Sequence, residues 1–153
     1  MHNTIMLMTP TFNSIKSRSH LMLKEVIYMK KILIVGLGGF IGASLRYVIS
    51  KHSSNIFGGQ FAYGTLVVNV LGGLLIGFIL ELTTFTDFIS PNMKLFLTTG
   101  IMGGLTTFST FSYETITFFS NGSYFLAAIN IILNLFLSLI GVVGGKTLSH
   151  IIF

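Results

Sequence analysis

Four long apolar runs divide this 153-residue chain, at positions 32–49, 63–82, 92–119 and 124–148. Each is close to the roughly 20 residues that an α-helix needs to cross the hydrocarbon core of a bilayer. The joints between them are short and polar: Lys51 to Gln60, Thr83 to Pro91, and Ser120 to Ser123. No run alternates apolar and polar residues over about 10 positions as a membrane β-strand does. The pattern predicts an all-α integral membrane protein of four transmembrane helices. The third is expected to break near its centre, where Gly103-Gly104 is followed by Leu105-Thr106-Thr107-Phe108-Ser109-Thr110. Broken backbone at membrane depth persists only where it is buried in protein or lines a wet cavity.

Residues 1–28 stand apart from this pattern. They mix Asn3, Asn13, Lys16, Arg18, His20, Lys24 and Glu25 with short apolar pieces, of which Leu21 to Ile27 has the length of an interfacial helix. There is neither the continuous apolar core nor the small-residue cleavage site of a secretory signal. The expectation is a disordered extension, or one added by start assignment ahead of Met29-Lys30-Lys31, with residues 29–153 as the membrane domain.

Composition agrees with lipid as the solvent. Hydrophobic residues make up 52% and charged residues 8%, against about a quarter charged in a soluble domain. The 17 glycines suit helices that approach closely in a membrane. With no cysteine, disulfides, thiolate metal sites and cysteine nucleophiles are excluded. The net charge of +5 comes from cations that flank apolar runs, which is an orientation signal and not a nucleic-acid surface. One side of the membrane would carry Lys30, Lys31, Lys94 and Lys146, the other Arg46 and Lys51. So small a bias favours a cytoplasmic N-terminus yet permits both orientations. His2, His20, His52 in a loop, and His150 are too scattered to hold a metal. No nucleophile–base pair or Walker-type phosphate loop is visible, so no enzyme is expected.

The polar residues inside the spans carry what chemistry there is. Thr65, Asn69, Gly73 and Gly77 recur every four positions, as do Asn130, Asn134 and Ser138, so each set forms a stripe on one helix. Such stripes either tie helices together or form a track of uncharged donors for a small anion. Phe108 and Phe111 share a helix face. Their positive ring edges could meet an anion, or the rings could simply pack. Glu114 sits at a pore mouth, pairs with Arg46, or reaches the interface, with the interface first. Arg46, near a helix end, either snorkels to water or draws anions into a vestibule. A small cation exporter would need an acid in an early span; the first has only Arg46, and Glu81 ends the second. A non-transporting assembly subunit would leave the polar stripes without a use.

Three motifs on successive spans resemble the Fluc or CrcB family of fluoride channels. They are Gly38-Gly39-Phe40-Ile41-Gly42-Ala43-Ser44-Leu45-Arg46-Tyr47, then Gly64-Thr65-Leu66-Val67-Val68-Asn69 with Gly72, then Gly103-Gly104-Leu105-Thr106-Thr107-Phe108-Ser109-Thr110-Phe111. The resemblance runs from about Lys31 to the C-terminus. It implies an antiparallel, dual-topology dimer in the bacterial plasma membrane that lets fluoride leave the cytoplasm passively through two interfacial pores. Asn69 would be the pore asparagine, Phe108 and Phe111 the aromatic box, and Ser109, Thr110 and Ser138 the polar track. Backbone carbonyls of Gly103 and Thr106 from each subunit would hold a structural sodium ion. Ile132 and Val142 stand where polar track residues are expected. The resemblance leaves both a homodimer and a heterodimer open.

Overall fold

The computed structural model describes residues 12–153, with side chains from residue 17 onward. Expectations for residues 1–11 lie outside the described residues. The described chain is helical almost throughout: α1 Phe12–Phe57, α2 Tyr63–Phe85, α3 Pro91–Leu95, a π-helical stretch Phe96–Met102, α4 Gly103–Leu105, α5 Phe108–Ser120 and α6 Tyr124–Ile152. From residue 12 on, the N-terminal extension is helix and not the disordered chain expected for it. The chain divides between Leu33 and Ile34 into an N-terminal unit and a larger one, Ile34–Phe153. The larger unit holds every candidate site residue.

The first span is longer than its apolar run. α1 continues through Lys51 and His52 to Phe57, where the sequence read a loop. Nothing in that stretch breaks a helix until Gly58, which takes φ +85° and returns its N–H to the Ser54 carbonyl at 3.1 Å. Glycine tolerates this left-handed turn and so ends the helix. At the start of the third span, Pro91 occupies the first turn and the Ser90 hydroxyl accepts the Met93 N–H at 3.3 Å, a standard capped start.

Among the described residues, three helices are long and apolar enough to cross a membrane: the part of α1 from Ser17 to Phe57, α2 and α6. The remaining span, 91–120, is broken into pieces that are each too short. The break falls at Thr106 and Thr107, two and three residues beyond Gly104, among the hydroxyl residues of the motif expected to break. Thr106 (φ −80°, ψ 157°) and Thr107 (φ −150°, ψ 116°) are extended, and the Thr107 hydroxyl accepts the Thr110 N–H at 3.2 Å to start α5.

Gly103 and Gly104 are themselves helical, and the glycines act chiefly by packing. A Cβ at Gly38 would lie 2.6 Å from the Phe96 carbonyl oxygen, and one at Gly104 would lie 2.6 Å from that of Gly39. Gly42 and Gly100 face the same seam. Across α2 and α6, Gly73 meets the Ser138 backbone, Gly77 that of Val142, Gly141 that of Val70, and Gly145 that of Leu74. Lipid supplies no hydrophobic force between helices, so contact of this kind holds them together. The small interior cluster of Val68, Met102 and Leu105 adds to it, while large apolar side chains such as Leu37, Phe40, Phe136 and Ile140 face outward.

Two outcomes follow. Gly145→Leu should force α6 off α2 and destabilise by about 1–3 kcal/mol or more, as overpacking does. Gly144→Leu, with open space beside it, should be near neutral; thermal unfolding in detergent compares them. Thr107→Ala should cost about 1 kcal/mol through the lost cap of α5, and Thr107→Ser should retain most of it in the same assay.

Candidate pore site

The break in the third span is held open by one side chain. Asn69 on α2 accepts the Thr107 N–H at its Oδ1 (2.8 Å) and donates from Nδ2 to the Thr107 carbonyl (3.2 Å). A carboxamide has the donor–acceptor pair of a peptide group, so it replaces the backbone partner that a continuous helix would provide. The amide of Thr107, which would otherwise close a helical turn onto the Gly103 carbonyl, is thereby turned over to Asn69. Of the two readings of the α2 stripe, the structure displays the tie between helices. Asn69 bonds neighbouring elements, and it does so at the break.

Asn69 also joins a line of amides. Its Nδ2 donates to Asn134 Oδ1 at 3.0 Å, and Asn134 Nδ2 donates to both the carbonyl and Oδ1 of Asn130, at 3.1 and 3.0 Å. Asn130 is 0% exposed. This gives the α6 stripe a defined partner set that spacing alone left open.

Beside the break lies a groove of about 630 Å³, lined by Asn69, Met102, Thr106, Phe108, Phe111 and Ser138 among others. The Phe108 and Phe111 rings lie 5.5 Å apart, tilted by 55°. Phe108 is 79% exposed on the single chain. The Ser138 hydroxyl is buried and has no hydrogen-bond partner in the protein. Val142 lines this groove too, so the apolar substitution noted in the sequence does fall on its wall. Ile132 is half exposed, and off the stripe formed by Asn130, Asn134 and Ser138.

A second groove, of about 520 Å³, contains Arg46, Lys51, Thr65, Thr107, Thr110 and Glu114. Thr107 lines both grooves. Its hydroxyl donates to Thr110 Oγ1 at 3.0 Å and lies 3.3 Å from Ser109 Oγ. Within one chain, then, Ser109 and Thr110 gather at Thr107, while Ser138 lies in the other groove. Arg46 Nη1 donates to the Thr106 carbonyl at 3.3 Å. Glu114 lines this groove as well. Its Oε1 accepts from Thr65 Oγ1 at 2.7 Å, and Oε2 is buried without a partner.

The backbone oxygens of Gly103 and Thr106 suit a hard cation. Both are neutral carbonyls at a helix break, and such ions favour oxygen ligands. Gly103 is exposed on the chain surface, and Thr106 fits because Gly72 leaves room for its methyl group. Glu81, the acid at the end of α2, is engaged elsewhere. Lys146 Nζ and His150 Nε2 lie 3.1 and 2.9 Å from its oxygens, and Phe85 stacks on the His150 ring. It is tied to α6 and does not face an early-span cavity of the kind a cation exporter needs.

The family model described as "CrcB-like protein, Camphor Resistance (CrcB)" matches residues 33–146. A protein of Clostridium perfringens named "Fluoride-specific ion channel FluC" is 64% identical over 121 residues, 79% of this chain and 94% of the relative. Relatives with the same name from Clostridium novyi and Shewanella oneidensis are 55% and 47% identical, over 94% and 96% of their lengths. With the broken third span, the asparagine that bridges it and the phenylalanine pair beside it, this chain belongs to the CrcB family of multi-pass membrane proteins.

Proposed function

We propose that this chain forms a passive, fluoride-selective channel that relieves the cytoplasm of fluoride; its relatives are named fluoride-specific ion channels. The observation that carries the reading is the groove at the helix break, which sets a phenylalanine pair and an unpartnered serine hydroxyl beside Asn69. Fluoride is small and strongly hydrated, so a path for it must replace water with donors that do not hold it too firmly. The Ser138 hydroxyl is one such donor, and the phenylalanine ring edges are weaker ones. Both hydrogens of Asn69 are already engaged by Thr107 and Asn134. Its first task is therefore to shape the site, and the ion meets Ser138 and the rings before it. In the second groove Arg46 and Lys51 raise the local anion concentration ahead of Thr110 and Ser109.

The site calls for a second copy of the chain. Phe108 stands mostly exposed at the edge of an open groove, and an antiparallel homodimer in the bacterial plasma membrane would close it. The small bias in flanking cations is compatible with both orientations. Four carbonyls, from Gly103 and Thr106 of each subunit, would then surround a sodium ion. When bound, that ion offsets the desolvation of the carbonyls and pins the subunits together. The Asn69–Thr107 bond keeps the Gly103 carbonyl available, and Arg46 takes one lone pair of the Thr106 carbonyl and leaves the other. A closely related second chain in place of the identical copy is the alternative. Residues 29–153 would form the channel domain, with the preceding segment outside it.

Liposomes holding the purified protein test the reading. Fluoride should leave rapidly without an energy source, chloride should stay, and Phe108→Ile should abolish the flux; no fluoride loss from folded wild-type dimer would overturn it. Exchanging sodium for N-methylglucamine should lower the unfolding temperature of the dimer. An unchanged melt would remove the ion from the account.

A further inference from the structure

The amide line that begins at Asn69 does not end at Asn130. Asn130 Nδ2 donates to Thr115 Oγ1 at 2.9 Å, and the Thr115 hydroxyl donates to the Phe111 carbonyl at 2.8 Å. Thr115 and Phe111 lie on α5, whose N-cap is Thr107. The bonds thus form a circuit. It leaves α5 at Thr107, crosses α2 through Asn69, runs along α6 through Asn134 and Asn130, and returns to α5 one turn past Phe111.

The circuit has a single sense. Each carboxamide can flip by half a turn, exchanging its oxygen for its nitrogen, and its partners decide which way it faces. Thr107 offers one N–H and one carbonyl, which sets Asn69; the hydrogen Asn69 has left requires an acceptor from Asn134. Asn134 must then donate to Asn130, which offers two oxygens. Asn130 in turn has hydrogens to give, and Thr115 accepts one because its own hydroxyl hydrogen is spent on Phe111. Reversing any one member sets donor against donor or acceptor against acceptor, in a place where Asn130 is fully buried and Thr115 nearly so.

We infer that Asn130 and Thr115 are positioning residues: through this circuit they hold the short helix carrying Phe108 and Phe111 in register with Asn69. Neither residue lines either groove, so neither touches the ion. The inference rests on the channel reading for its functional consequence, but not for the circuit itself. It also explains why three asparagine side chains are retained inside the membrane. Each is costly alone, and together they satisfy one another and the broken backbone.

Thr115 gives the test, because valine keeps its shape and serine keeps its hydroxyl. A residue that only packs would accept valine better than serine. The circuit requires the reverse order. Thr115→Val should leave the Asn130 amide without its acceptor and slow fluoride efflux by about tenfold, the scale of one buried hydrogen bond left unpaired. It should also speed amide hydrogen exchange in the peptide spanning 107–115. Thr115→Ser should stay close to wild type in both. Asn130→Ala removes the side-chain link yet keeps the backbone acceptor of Asn134, and should act like Thr115→Val; it decides the matter if the valine variant does not fold. Wild-type exchange and efflux in Thr115→Val and Asn130→Ala, or valine tolerated better than serine, would overturn the inference. Should wild-type liposomes pass no fluoride, the channel reading falls, and the exchange comparison still decides whether the circuit positions α5.

Discussion

Everything at the centre of this protein depends on one reciprocal pair of hydrogen bonds, between the Asn69 carboxamide and the Thr107 peptide group. An interrupted helix in hydrocarbon leaves peptide N–H and C=O groups without partners, at several kcal/mol each. Asn69 is a side chain that offers the same donor and acceptor as the missing turn. It thereby lets extended backbone exist at Thr106 and Thr107, aims α5 and its two phenylalanines into the groove, and frees the Gly103 carbonyl.

That arrangement needs helices that come very close, and the glycines provide the approach. Gly38, Gly42, Gly100 and Gly104 form one seam, and Gly73, Gly77, Gly141 and Gly145 form another. The second seam sets the α2–α6 separation at which Asn69 reaches Asn134. Packing and polar bonding act together in the α2 stripe. Gly73 and Gly77 supply the distance, and Asn69 uses it.

Much of this was legible in the residues. Four spans, the short joints and the interrupted third span follow from apolar runs and from hydroxyls gathered after Gly103-Gly104. The two residues of that motif that carry the break did not. Glycine reads as a helix breaker in water, but beside Gly39 it is the residue that lets two backbones touch, so the interruption passes to Thr106 and Thr107, where Asn69 can satisfy it. The end of α1 was also misplaced, because Lys51 to Phe57 is polar enough to resemble a loop and only Gly58 has the backbone freedom to stop the helix. Asn130 and Asn134 were visible as a stripe. Their partners were not, because Asn69 and Thr115 are distant in sequence and reach them only through the fold.

The interruption also bears on how the chain is assembled in the cell. α5 has 13 residues, about 20 Å of helix, against a hydrocarbon core about 30 Å thick. It cannot cross alone, and neither can the pieces that precede it. During synthesis α2 emerges first and presents Asn69, yet Asn134 and Asn130 arrive only with the last helix. The third span thus meets Asn69 as it follows α2, while the spare Asn69 hydrogen finds its acceptor only with α6. The order of emergence from the ribosome makes α6 the closing step: a chain stopped before Asn134 would leave one hydrogen of the Asn69 amide without its acceptor.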